Sequence, residues 1–229
     1  MLQKIDAAAL RQSNEDLVGF ETRNIYSRTD SSTVGTGAAR TYMFEKLKAL
    51  EALSGGRLTV AREEYAVDGR SGPATAVNIV ATLTGTTDPD RIYIVGGHYD
   101  SRNSNGGDGE NLAPGANDDG SGTVLVMEAC RVMCQTPFAA TIKFVCYDGE
   151  EQGLLGSGAH AEALSAAGAI VDGMITNDIV GNTLGMDGVV RREYIRAFSY
   201  AETGNDSTGR SLARVISFAG KRHVSDFEV

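Results

Sequence analysis

Histidine, cysteine and positive charge are all scarce in this chain. Its 229 residues hold three histidines, three cysteines, and 21 Lys and Arg against 30 Asp and Glu, a formal net charge of −9. That excess of acid disfavours nucleic acid or an anionic membrane surface as partner, since both need a positive face. Cys130, Cys134 and Cys146 cannot all pair within one chain, and their spacing is no zinc-knuckle pattern, so buried free thiols are expected. No apolar run reaches the roughly 20 residues of a membrane span, and the first residues show no basic start followed by an apolar stretch. His-Glu-x-x-His, Gly-x-Ser-x-Gly and Gly-x-x-x-x-Gly-Lys are missing, and the glycine-rich loop after Asp100 does not fit EF-hand spacing. What is present is an ordinary globular balance, 41% hydrophobic and 22% charged. A chain of this length buries about 70% of its unfolded surface and needs no disulfide staple.

The apolar pattern alternates between helix and strand periods. Residues 2 to 17 mix Leu2, Ile5, Leu10 and Leu17 with charges, as a surface helix does. A second helix is expected from about Ala38 to Leu53, with Met43, Leu47 and Leu50 at helical spacing and Gly55-Gly56 as its stop. Leu58 to Val67 and Ala76 to Leu83 read as strands joined by turn residues 68–73. Ile92 to Val95 is a short continuous apolar strand of the kind buried on both faces. A helix over Ser121–Met133 and a strand over Thr141–Tyr147 then make a strand–helix–strand unit of a parallel sheet. Helix Leu154–Ala167 and strand Ile170–Ile175 repeat the alternation, and a strand (Tyr194–Phe198) and a helix (Ser207–Ala219) follow. With no linker and no internal repeat, residues 1–229 are expected to form one α/β domain.

Charge is concentrated in the middle of that pattern. From His98 to Glu151 there are nine acids and three bases, −6 of the total −9. Polar clusters stand at the carboxyl ends of three apolar strands, where open parallel sheets collect their ligands. They are His98-Tyr99-Asp100, Asp148-Gly149-Glu150-Glu151 and Asn177-Asp178. His98 and Asp100, two apart on an extended segment, leave on one face, which suits an imidazole ligand oriented by a carboxylate. Asn117-Asp118-Asp119 runs straight into a helix start, and capping accounts for one aspartate but not for both. In Glu150-Glu151 one carboxylate can hold a metal while its neighbour serves as base, and spacing alone does not say which is which.

Four segments in order carry a resemblance: Gly96-Gly97-His98-Tyr99-Asp100-Ser101, Pro114-Gly115-Ala116-Asn117-Asp118-Asp119-Gly120-Ser121-Gly122, Glu150-Glu151-Gln152-Gly153-Leu154-Leu155-Gly156-Ser157, and Asn177-Asp178. With Thr22-Arg23-Asn24 and Gly37-Ala38-Ala39-Arg40, they make the chain from about Thr22 to Asp178 resemble metallopeptidase family twenty-eight. Within it the likeness is to the co-catalytic di-zinc aminopeptidases of the bacterial leucyl aminopeptidase type. The resemblance implies a three-layer sandwich around a mixed, mostly parallel sheet. It implies two zinc ions, bridged by Asp118, with His98 and Asp178 on one and Glu151 on the other, and a cis Asp118-Asp119 bond. Glu150 is then the general base, Asp100 the group that orients His98, and the substrate a peptide with a free N-terminus and an apolar first residue.

The family pattern also needs a second histidine, on the metal held by Glu151. His160 stands in the helix just after the glutamates, where a surface position is expected, and His223 lacks the family's Asp-His context. The domain is therefore expected to be C-terminally incomplete, with a weak second metal and poor turnover in the 229-residue chain. Two alternatives accompany the aminopeptidase reading: a glutaminyl-cyclase-like acyltransferase with one zinc, and a non-catalytic peptidase-like binding module. Location outside the cytoplasm is implied by the resemblance alone.

Overall fold

Turn and cap chemistry sets the limits of the elements. The computed structural model describes residues 1–200, 204–224 and 228–229. They form two compact units, Met1–Ile179 and Val180–Val229. Asp6 opens helix α1 (Ala7–Val18) by accepting from the N–H groups of Ala8 and Ala9. Helix α2 (Gly35–Lys48) buries Ala38, Ala39, Met43 and Leu47 on one face. Strands β1 (Leu58–Gly69) and β2 (Gly72–Leu83) pair as an antiparallel hairpin closed by Arg70 and Ser71. Then follow β3 (Asp88–His98), α3 (Gly120–Met133), β4 (Ala140–Tyr147), α4 (Leu155–Ala166) and β5 (Ile170–Thr176).

The sheet order is β1-β2-β4-β3-β5. β1–β2 and β2–β4 are antiparallel, while β3 pairs in parallel with both β4 and β5. Only β2 therefore runs against the other four strands, so the sheet is mixed and mostly parallel as expected. Strand alternation sends neighbouring residues to opposite layers. Ile79, Phe144 and Cys146 join Leu17, Met43, Leu47 and Val126 in the larger core, under α1, α2 and α3. Val80, Val145, Tyr147 and Ile94 form a smaller cluster on the other face, against Leu164 of α4. The result is a helix–sheet–helix sandwich. Cys130, Cys134 and Cys146 are buried free thiols, as their count and spacing suggested.

In the second unit, helix α5 (Thr208–His223) starts at Ser207, whose hydroxyl accepts from Arg210 N–H. The strand expected over 194–198 does not form; Tyr194 makes only an isolated parallel bridge to Glu228. Tyr194 and Phe198 are exposed, so this segment has no burial to hold it extended. No helix among the described residues is long and apolar enough to cross a membrane.

Candidate active site

Parallel pairing brings the acidic clusters together. His98 at the end of β3 stands opposite Tyr147 at the end of β4, and Gly96 opposite Thr176 at the end of β5. Asp148 and Asn177 thus begin their loops beside the residue that carries the imidazole. Gly97 lets the first turn of α3 lie directly on β3: a Cβ there would sit 2.9 Å from the Gly122 carbonyl carbon. This contact delivers the Asp118-Asp119 segment to the same place, across a cis peptide bond.

The two adjacent aspartates divide their work. Asp119 is fully buried, and its oxygens accept the N–H groups of His98 (3.1 Å) and Gly122 (2.8 Å), capping α3. Asp118 is half-exposed and turns Oδ1 towards His98 Nε2 at 3.3 Å, while Asp178 Oδ1 lies 3.9 Å from that nitrogen. His98 Nε2 is buried, yet has no hydrogen-bond partner among the described residues. On the ring's other side, Nδ1 lies 3.2 Å from the Asp100 carbonyl and 3.4 Å from its carboxylate. Burial alone would lower the imidazole pKa, but Asp100, Asp118 and Asp119 outweigh it and hold it up to about 11. That value marks a pocket with more carboxylate than cation.

These groups suit a divalent metal. An unpartnered imidazole nitrogen facing two carboxylates is the N/O donor set of zinc, and the ring's second nitrogen has the oriented partner that bound histidines require. Asp119 also brings an oxygen within 4.8 Å of His98 and Asp178 atoms. Backbone N–H groups already use both Asp119 oxygens, whereas Asp118 Oδ1 faces His98.

Asp100 has a further task that its spacing does not reveal. Its oxygens accept the backbone N–H groups of Glu150 (3.0 Å) and Glu151 (3.1 Å), tying the glutamate loop to His98. Gly149, at φ +69, turns the chain into that clamp. Burial raises the Glu150 pKa; His98 opposes it, and Asp100, Glu151 and Asp178 add to it. Glu151 is raised by burial too, against the pull of Arg102, whose Nε donates to its Oε2 at 2.6 Å.

Sequence reasoning gave no role to three arginines, although Arg23 and Arg40 stand in segments that carried the resemblance. Arg102 is at the site mouth, Arg40 makes a buried ion pair with Asp148 at 2.7 Å, and Arg23 is enclosed among backbone carbonyls. Their only signal was basic residues within or beside otherwise acidic or apolar motifs. His160 requires a correction, since the surface position expected of it is wrong. It is 2% exposed, with Nδ1 3.1 Å from Tyr147 Oη and Nε2 3.7 Å from Glu63 Oε2. A histidine on an apolar helix face found a buried tyrosine. His223 ends α5 in the second unit.

Comparison with known proteins identifies the family. The model of peptidase family M28 matches residues 78–228. The chain belongs to peptidase family M28. Among curated relatives, a probable zinc metalloprotease of Pyricularia oryzae is 40% identical over 248 residues, covering 100% of this chain and 49% of that protein. The M28 chain thus spans about half the length of the curated relatives it matches. Among solved structures, the LapA aminopeptidase of Legionella pneumophila superposes with a TM-score of 0.62 at 22% identity, covering 80% of this chain and 45% of its own. A glutaminyl cyclase of Fimbriiglobus ruber gives a TM-score of 0.60 at 22% identity, over 76% of this chain and 62% of its own. Both likenesses are of fold.

Proposed function

We propose that this M28 chain carries the active-site core of a zinc-dependent aminopeptidase, with residues 1–229 belonging to one peptidase domain. The observation that carries the reading is the partnerless His98 Nε2 facing Asp118 and Asp178, beside a glutamate pair clamped by Asp100. His98, Asp118 and Asp178 would hold one zinc, and Glu151 would supply a ligand to a second. Zinc, when bound, supplies a Lewis acid for the scissile carbonyl and lowers the pKa of water towards about 7.

The remaining chemistry belongs to side chains. Glu150 takes a proton from the attacking water as the C–O bond forms, and returns it to the amine nitrogen as the C–N bond breaks. Burial and neighbouring carboxylates hold its pKa above the ordinary carboxylate value, which suits a group that must both accept and donate near neutral pH. Asp100 fixes where Glu150 stands. The excess carboxylate also suits a substrate's free α-ammonium group, which favours an N-terminal over an internal cut; an apolar first residue and a location outside the cytoplasm belong to the same reading. The names borne by the Pyricularia and Legionella proteins support zinc and aminopeptidase chemistry respectively.

The fold is shared with glutaminyl cyclases, so metal content and product must decide between the two. Two zincs per complete domain, the second held only weakly by residues 1–229, and release of N-terminal residues from aminoacyl anilides are expected. One zinc with cyclisation of N-terminal glutamine would make the protein an acyltransferase. Zinc binding with neither activity would leave a binding module. Glu150→Gln should lower turnover by about 10²-fold or more while leaving zinc content unchanged.

A further inference from the structure

Arg23 is fully buried, and four of its five guanidinium N–H groups donate to backbone carbonyls. Nε donates to Tyr99 O at 2.6 Å, Nη1 to Pro114 O at 2.7 Å and Leu17 O at 3.0 Å, and Nη2 to Gly115 O at 2.8 Å. Tyr99 lies between His98 and Asp100, and Gly115 is three residues before Asp118. One planar fork therefore ties the strand end that bears the imidazole to the loop that bears the aspartate. We propose that Arg23 is a positioning residue that sets the separation of His98 and Asp118, and through it the affinity of the site for zinc.

Several contacts reinforce the junction. The Arg23 N–H donates to Ser101 Oγ at 3.0 Å, and that hydroxyl donates to Ala113 O at 2.7 Å. Thr22 bridges to Ala113 in parallel, which sets the arginine beneath the loop. Gly115 has φ +46, and a Cβ there would come within 2.9 Å of Arg23 Nη2 and 2.6 Å of Ser101 Cβ. The fit leaves no slack. Burial lowers the guanidinium pKa to about 10, with Asp100, Asp119 and Asp118 pulling it back up, so it stays charged at neutral pH. Its charge lies under the acid cluster and offsets part of it. Lysine cannot replace this arrangement, because a single ammonium point does not reach carbonyls of three segments in the directions a guanidinium serves.

The inference rests on His98, Asp118 and Asp178 as zinc ligands. Zinc affinity, measured by competition with a chelator, and the visible spectrum of the cobalt-loaded protein are compared for wild type, Arg23→Lys and Ser101→Ala. Melting of the metal-free proteins by circular dichroism shows where each is folded. Folded Arg23→Lys should bind zinc about 10–100-fold more weakly, the usual loss when a ligand's supporting contact is removed, and should change the cobalt spectrum. Ser101→Ala should shift both in the same direction by less. A residue that only stabilises the fold would lower the melting temperature and leave affinity and spectrum alone; that result in Arg23→Lys overturns the inference. If Arg23→Lys does not fold, wild-type affinity and spectrum in folded Ser101→Ala overturn it. Failure of the wild type itself to bind zinc would sink the site assignment, and this inference with it.

Discussion

Breaking the Arg40–Asp148 pair should destabilise the protein more than any surface change near the site. Asp148 is fully buried, and its Oδ2 accepts from Arg40 Nη2 (2.7 Å) and Val77 N–H (3.0 Å), while Oδ1 has no hydrogen-bond partner among the described residues. Arg40 also donates to Tyr99 Oη (2.9 Å) and Thr75 O (3.0 Å), and the tyrosine hydroxyl goes on to Val77 O. Arg40→Met removes three hydrogen bonds and leaves a buried carboxylate on a single amide. Loss of one partner of such a pair costs about 3–5 kcal/mol, nearly all of it the penalty of the charge left behind. For a domain of this size that is about 6–20 °C in Tm. Asp148→Asn should fall in the same range, since it strands the guanidinium. The double variant should recover at least about 2 kcal/mol relative to the sum of the two. Urea unfolding followed by circular dichroism, with a chelator present so that metal binding does not enter, measures all three. Single losses below about 1 kcal/mol, or a strictly additive double variant, would refute the claim that a desolvated charge pair holds the glutamate loop to β2.

Two smaller changes probe the same frame. Gly149→Ala must place a side chain at φ +69 with its Cβ 3.0 Å from Ile25 Cδ1 and 3.1 Å from Leu155 Cβ. It should cost at least about 1–2 kcal/mol in urea unfolding and weaken turnover, and a loss under about 0.5 kcal/mol would mean the turn is less constrained than its angles indicate. His160 tests the pH dependence. Burial lowers its pKa, Glu63 opposes and Lys143 assists, so the ring is neutral in the fold beside Tyr147. Its contribution is then complete above the unfolded pKa of about 6.5 and is lost as pH falls, with a slope of at most about 1.4 kcal/mol per pH unit. The stability advantage of wild type over His160→Gln should shrink between about pH 7 and 5. A difference that stays constant would show that His160 is not held neutral.

Much of the candidate site could be read without coordinates because its chemistry is local. His98, Asp118, Glu150, Glu151 and Asp178 each stand at the end of an apolar run or the start of a helix, where polar residues have little structural reason to cluster. Parallel strands, once recognised, must bring such ends to one side of the sheet, so His98, Asp148 and Asn177 were placed together correctly. The supporting arginines were not legible. Arg40 meets Asp148 across 108 residues of sequence and Arg23 meets Tyr99 across 76. Charged side chains are mostly exposed, so nothing in composition or periodicity marks two of them as buried.

Sequence by itself determined the alternation of elements, the acidic strand ends, the buried thiols and the family, because these depend on neighbours within a turn or a strand. Tertiary structure alone showed that Asp119, beside the Asp118 that the resemblance had already assigned to the metals, spends its oxygens on the N–H groups of His98 and Gly122. It also decided that Asp100 holds the glutamate loop as well as the imidazole, and that β4 lies between β2 and β3. The tertiary features share one cause. Hydrogen-bond partners for buried polar groups come from whatever segment the sheet order brings near, and that order is a property of the packed chain, not of any window along it.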